Sequence, residues 1–152
     1  MWVVPLSLSA SLMLLLWIAW EDLRRWEINP WICALAAGAW SPVVLANDQW
    51  LEHGLGAALG LGISALVRLF HPSAIGLGDI PLYTLCGWLV GFALFPAWAL
   101  VNAALVLGLT SCLARKRQRS IRRCAIPAAL AACPAAALIM ILLWVDVLAM
   151  QL

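Results

Sequence analysis

Two aspartates, Asp22 and Asp79, are the residues in this chain best suited to chemistry. Each stands at the edge of an uncharged apolar run, residues 1–20 before the first and residues 80–114 after the second. Carboxylates beside membrane-length apolar segments are costly to bury, which makes them functional candidates. Two carboxylates flanking one water are the apparatus of aspartic proteolysis. One, ionised, takes a proton from the water; the other, protonated, polarises the scissile carbonyl. Close like charges do not both ionise cheaply, so such a pair shares a proton and titrates as a unit. The segment Ile75-Gly76-Leu77-Gly78-Asp79 adds two glycines that remove side-chain bulk and widen the choice of backbone conformation. An extended peptide could lie against that backbone, so Gly76 and Gly78 are candidate substrate-binding residues. Asp79 is expected at or near the N-cap of a helix, where amides and the macrodipole favour an anion. Asp22 is expected after a helix C-terminus, whose dipole disfavours charge, so the shared proton is expected mainly on Asp22.

The elements that must position this pair are membrane helices. Of 152 residues, 66% are hydrophobic and 11% charged, too little charge to solvate the surface of a soluble domain. Uncharged runs cover residues 1–20, 80–114 and 124–145, with shorter apolar stretches at 30–47 and 54–67. Residues 80–114 would make a helix of ~52 Å, enough for two crossings of a ~30 Å hydrocarbon core. Gly91 and Phe95-Pro96 supply the break for a helical hairpin. The stretch 54–67 is short and needs His53 and Arg68 to reach toward the interfaces. The expectation is an all-α polytopic membrane protein of about six transmembrane helices, with residues 1–152 as one transmembrane domain. The first run has no basic n-region or small-residue cleavage site, so it reads as a span and not a cleaved signal.

Nine Lys and Arg residues fall in three places: Arg24 and Arg25, Arg68, and the run Arg115, Lys116, Arg117, Arg119, Arg122, Arg123. With six spans these places share one side of the membrane, and the positive-inside rule makes it the cytoplasmic side. Both termini are then outside, in a plasma (inner) membrane, and Asp22 and Asp79 face the cytoplasm. The basic run reads as a topology anchor and not a nucleic-acid site. Of the other acids, Asp48, Glu52 and Asp146 read as solvated residues near the outer face, and Glu21 and Glu27 share the inner side with the pair. Cys33, Cys86, Cys112, Cys124 and Cys133 form no Cys-x-x-Cys pair and read as packing residues, with no metal site or cofactor expected. Trp2, Trp20, Trp26, Trp31, Trp50 and Trp144 fall near span ends, where an aromatic belt belongs.

Three segments carry a family resemblance. Asp22-Leu23-Arg24-Arg25-Trp26-Glu27-Ile28-Asn29-Pro30 resembles the first catalytic segment of type IV prepilin peptidases, and Gly76-Leu77-Gly78-Asp79-Ile80-Pro81-Leu82 resembles the second, Gly-x-Gly-Asp-x-Lys-Leu. Arg123-Cys124-Ala125-Ile126-Pro127-Ala128-Ala129-Leu130 is similar to an Ile-Pro-Phe-Gly-Pro-Phe-Leu stretch in the last family span. The resemblance implies catalytic roles for Asp22 and Asp79 and loop roles for Gly76 and Gly78. It further implies endoproteolysis of prepilin-like proteins, of pilus or type II secretion kind, after a basic leader and before a hydrophobic helix. The methylating region of longer family members is not implied, since only 21 residues precede Asp22. Asn29-Pro30 reverses the usual Pro-Asn, Pro81 stands where Lys is usual, and Ala128-Ala129 replace Phe-Gly. Other readings are a different Gly-x-Gly-Asp membrane protease, a non-catalytic assembly factor descended from the peptidase, and a small carboxylate-based transporter. The last would place its acids nearer the bilayer midplane.

Overall fold

A computed structural model describes residues 3–72, 75–117 and 127–149. Five helices and no strand make up the described residues: α1 (Val3–Arg25), α2 (Pro30–Ala46), α3 (Trp50–Phe70), α4 (Asp79–Arg117) and α5 (Ala129–Ala149). The all-α expectation holds. Three helices, α1, α3 and α4, are long and apolar enough to cross a membrane, while α2 and residues 129–145 of α5 are shorter apolar helices. Leu6, Met13, Leu16, Trp17, Leu100 and Leu107 point outward and are more than half exposed. Such a continuous apolar exterior on helices that satisfy their own backbone groups suits lipid. Arg119, Arg122, Arg123 and Cys124 lie outside the described residues, as does the first half of the third motif segment.

The long run divides as its glycine suggests. Gly91 has φ 76° and ψ 172°, outside the helical region, whereas Pro96 is accommodated within helix. The break therefore lies at Gly91 and not at Phe95-Pro96. Its consequence is visible in the packing of Tyr83 on Trp98, whose ring centroids are 5.6 Å apart. In a straight helix fifteen residues would separate them by ~22 Å, so the second arm of α4 turns back along the first. A side chain at Gly91 would be strained by its φ and would press on the Glu52 carboxylate. Cys86 Sγ and Trp98 Nε1, one from each arm, both reach the Ala132 carbonyl of α5.

Two corrections concern α3. It runs from Trp50 to Phe70, longer than the 54–67 stretch, so it needs no help in reaching across. His53 accordingly does not turn toward an interface. It is buried, at 7% exposure, and its Nδ1 lies 2.5 Å from the Trp88 carbonyl near the end of the first arm. A carbonyl just before a helix break lacks its usual amide partner, and the imidazole supplies a donor. Glu52 likewise lies half-buried at the Gly91 turn and is not simply a solvated acid.

The first arm of α4 is fixed to α3 by missing side chains. A Cβ on Gly56 would run into the Gly87 carbonyl, one on Gly60 into the Tyr83 carbonyl, and one on Gly87 into the Gly56 carbonyl. With Ser64 one turn further, α3 presents a Gly-x-x-x-Gly-x-x-x-Ser edge that lets two backbones touch. That register is antiparallel and places Asp79 level with Ser64.

Candidate active site

The buried face of α1 comprises Leu8, Ser11, Leu15, Ile18 and Asp22, at alternating spacings of three and four. Asp22 thus continues the core-facing stripe of its helix, which carries it inward and leaves its neighbours Leu23 and Arg24 exposed. Asp22 is 4% exposed. Its Oδ2 accepts a hydrogen bond of 2.8 Å from the amide of Ala129, the first residue of α5. The first-turn amides of a helix have no intrahelical partner, so a carboxylate from another helix can cap them.

Asp79 opens α4, and its Oδ2 accepts a 2.7 Å bond from the Gly76 amide. The Asp79 amide in turn donates to the Gly76 carbonyl. This reciprocal arrangement resembles a capping box, with the acid folded back onto the loop and not onto its own helix. Arg68, at the last turn of α3, donates from Nη1 to the Ile75 carbonyl at 2.6 Å and braces the same loop. In the sequence Arg68 reads as a topology marker and as a side chain reaching toward the interface, not as a brace for this loop.

The expected dipole asymmetry between the aspartates is not what the geometry offers. Asp22 does lie in the last turn of α1, but its carboxylate points at the N-terminus of α5. Both carboxylates therefore sit at helix N-termini, and the macrodipole does not divide the proton between them.

The glycines also act differently from the expectation. Among the described residues Gly91 is the glycine with positive φ, so Gly76 and Gly78 are not there for a left-handed backbone. Space is what matters at Gly78: a Cβ there would stand 3.3 Å from the N, O and Cβ of Ile28. The loop before Asp79 thus lies directly on the loop after Asp22, and the two motif segments touch. Gly76 is exposed, with its amide held by Asp79.

Between α1 and α2 the chain turns at Trp26, which has φ 57° and returns its amide to the Asp22 carbonyl at 2.9 Å. That is an αL helix end, usually made by glycine. Asn29 then caps α2, its Oδ1 accepting from the Trp31 amide at 3.0 Å, with Pro30 at the first helical position. The order Asn29-Pro30 is therefore a helix start: an N-cap followed by a residue with no amide to satisfy. Pro81 is accommodated for the same reason, in the first turn of α4.

These elements enclose a cavity of about 570 Å³ lined by Asp22, Asp79, Gly76, Gly78, Tyr83 and Ala128, among others. Trp26 and Glu27 stand at it too, both exposed. Glu21 faces elsewhere: one carboxylate oxygen is 3.8 Å from Arg25 Nη1, and the other is buried without a hydrogen-bond partner. Two parts of the site were missed in the sequence. The Ala129 amide has no side-chain signature beyond a helix starting after Pro127. Tyr83, four residues after Asp79 and so on the same helix face, was legible by spacing alone.

No curated protein and no solved structure gives a match to this chain. The family model for the type IV leader peptidase family matches residues 9–113, well over half of the chain and spanning both aspartate segments. The chain is a member of the type IV leader peptidase family.

Proposed function

We propose that the chain is an aspartic endopeptidase that removes the basic leader from prepilin-like substrates, of type IV pilus or type II secretion kind. Asp22 and Asp79 are its catalytic pair. The observation that carries this reading is that two carboxylates from separate motif segments line one cavity, each already held by a backbone amide. A fixed amide keeps each carboxylate oriented and leaves its second oxygen for water or substrate. Water placed between them loses a proton to the ionised carboxylate as its oxygen adds to the scissile carbonyl carbon. The protonated carboxyl delivers its proton to the carbonyl oxygen, and collapse of the tetrahedral centre expels the amine with a proton.

The site opens at the membrane face that carries Arg24, Arg25 and Arg68, which the positive-inside rule makes cytoplasmic. A substrate with its basic leader on that side and an apolar helix in the bilayer would present its junction there. The exposed loop of Gly76 and Leu77 offers the peptide an edge to lie against. No group beyond these residues is needed for the chemistry.

The test is cleavage of a prepilin-like substrate by the purified protein in liposomes. Asp22→Asn and Asp79→Asn should each lower cleavage by more than a thousandfold while keeping the melting temperature, because the Asn carbonyl still accepts from Ala129 or Gly76. Glu21→Gln should retain most activity. Cleavage surviving in both Asn variants would remove the pair from the mechanism and favour a non-catalytic role for it.

A further inference from the structure

We propose that Tyr83 is a third catalytic residue. Its phenol O–H donates a hydrogen bond to the scissile carbonyl oxygen as that carbon becomes tetrahedral, and Asn102 acts as its positioning residue. The inference rests on the aspartic reading above and extends it to the oxyanion side of the reaction.

Tyr83 lies one helical turn after Asp79, and its side chain forms part of the wall of the Asp22–Asp79 cavity. It also borders a second, smaller cavity of about 230 Å³ lined by Gly60, Ser64, Trp98 and Asn102. Tyr83 and Ile75 thus border both spaces. The Tyr83 ring is fixed on several sides. Trp98, 1% exposed, meets it edge-on at an interplanar angle of 75° and is itself anchored to Ala132. The Tyr83 backbone is wedged against Gly60, where no side chain fits. A donor that must meet a developing charge works best when it needs no reorganisation, and this ring has little freedom to reorganise.

Asn102 is placed to orient the hydroxyl. It is 8% exposed and comes from the second arm of α4, brought beside the first by the Gly91 turn. It lines the same small cavity as Tyr83, and its Oδ1 is buried with no partner. An Asn102 amide hydrogen directed at the phenol oxygen leaves the phenol its own hydrogen for an acceptor on the other side, in the reaction cavity. An unsatisfied buried amide oxygen costs about 1–3 kcal/mol, a cost that a merely structural filler such as Leu would avoid. In the reaction Tyr83 neither gains nor loses a proton. The carbonyl oxygen receives its proton from the carboxyl pair, and the phenol only stabilises the charge that builds on that oxygen meanwhile.

Tyr83→Phe keeps the ring and its packing and removes one hydroxyl. The expected result, with wild-type enzyme in liposomes and a prepilin-like substrate, is a kcat lowered about a hundredfold with KM and melting temperature little changed. Asn102→Leu should lower kcat about tenfold. Because Tyr83 is the sole tyrosine, a 13Cζ-tyrosine label gives a single resonance. It should shift when a hydroxyethylene peptide analogue of the tetrahedral intermediate binds, and that analogue should bind at least tenfold more weakly to Tyr83→Phe. Full kcat in Tyr83→Phe, or a loss matched by lowered melting temperature and raised KM, overturns the inference. If wild type cleaves and Tyr83→Phe is undiminished, only this inference fails; if wild type does not cleave, the aspartic reading fails and takes it along.

Discussion

Trp26 shows how a single backbone angle can matter at a site. An L-residue with a bulky side chain at φ 57° carries strain that glycine does not, on the order of 1 kcal/mol. The position ends α1 immediately after Asp22 and turns the chain so that Ile28 meets Gly78. Its indole is 60% exposed beside the cavity, so the tryptophan is not retained for core packing. We expect Trp26→Gly to raise the stability of the purified protein by about 1 kcal/mol while lowering cleavage severalfold, as the indole is lost from the cavity mouth. Thermal unfolding alongside cleavage rates tests this. A variant both more stable and equally active would show that the indole contributes nothing at the mouth. At the same scale, Asp22 was readable over Glu21 from the Leu8–Ile18 stripe that ends on it. The amide partner of its carboxylate was not, since a backbone N–H carries no residue type.

At the scale of elements, the glycine edge of α3 decides where Asp79 stands. The first arm of α4 hangs from α3 through Gly56, Gly60 and Gly87, so a shift there displaces Tyr83 and then Asp79. Gly60→Ala should force the helices apart, costing more than ~2 kcal/mol and most of the activity. Gly62→Ala, on the same helix with nothing within 4 Å of its new methyl, should be neutral or slightly stabilising through helix propensity. Equal effects of the two substitutions would show that close approach is not what holds the arm. The Gly-x-x-x-Gly spacing was present in the sequence, but periodicity of charge and hydropathy does not single it out. The division of the long apolar run was legible, because 35 uncharged residues exceed one bilayer crossing. Gly91 was named as part of the break, but that Phe95-Pro96 takes no share in it was not legible, since a proline can be absorbed within a helix. The length of α3 was also understated, because charge at Glu52 and Arg68 marked its ends too tightly. Polar residues that find partners inside the fold, as His53 does on Trp88, extend helices past the point where composition alone would stop them.

For the whole molecule, the arrangement brings the ends of α1 and α3 together with the starts of α4 and α5 at one face. That clustering is what six segments of alternating direction produce, and it puts Arg24, Arg25 and Arg68 around the site. Reporter fusions after Ser120 should read cytoplasmic and one after Asn47 external. A cytoplasmic reading at Asn47 would reverse the side on which leaders are met, and with it the substrate class. The basic clusters carry this sidedness as an expectation, and the fusions test it. The contact of residues 26–29 with residues 76–78 was not legible in sequence, since it depends on how α1 and α4 pack through α5 and not on any local pattern.

The bond from Ala129 to Asp22 also has a meaning in time. The two residues are 107 positions apart, and the donor opens α5, which is made after α1 to α4. At roughly 5–20 residues per second, synthesis leaves Asp22 waiting about 5–20 s for its partner. During that interval the Asp22 carboxylate lacks this amide. The Asp22 end of the cavity therefore gains its amide only after α5 has been made, later than every other described element.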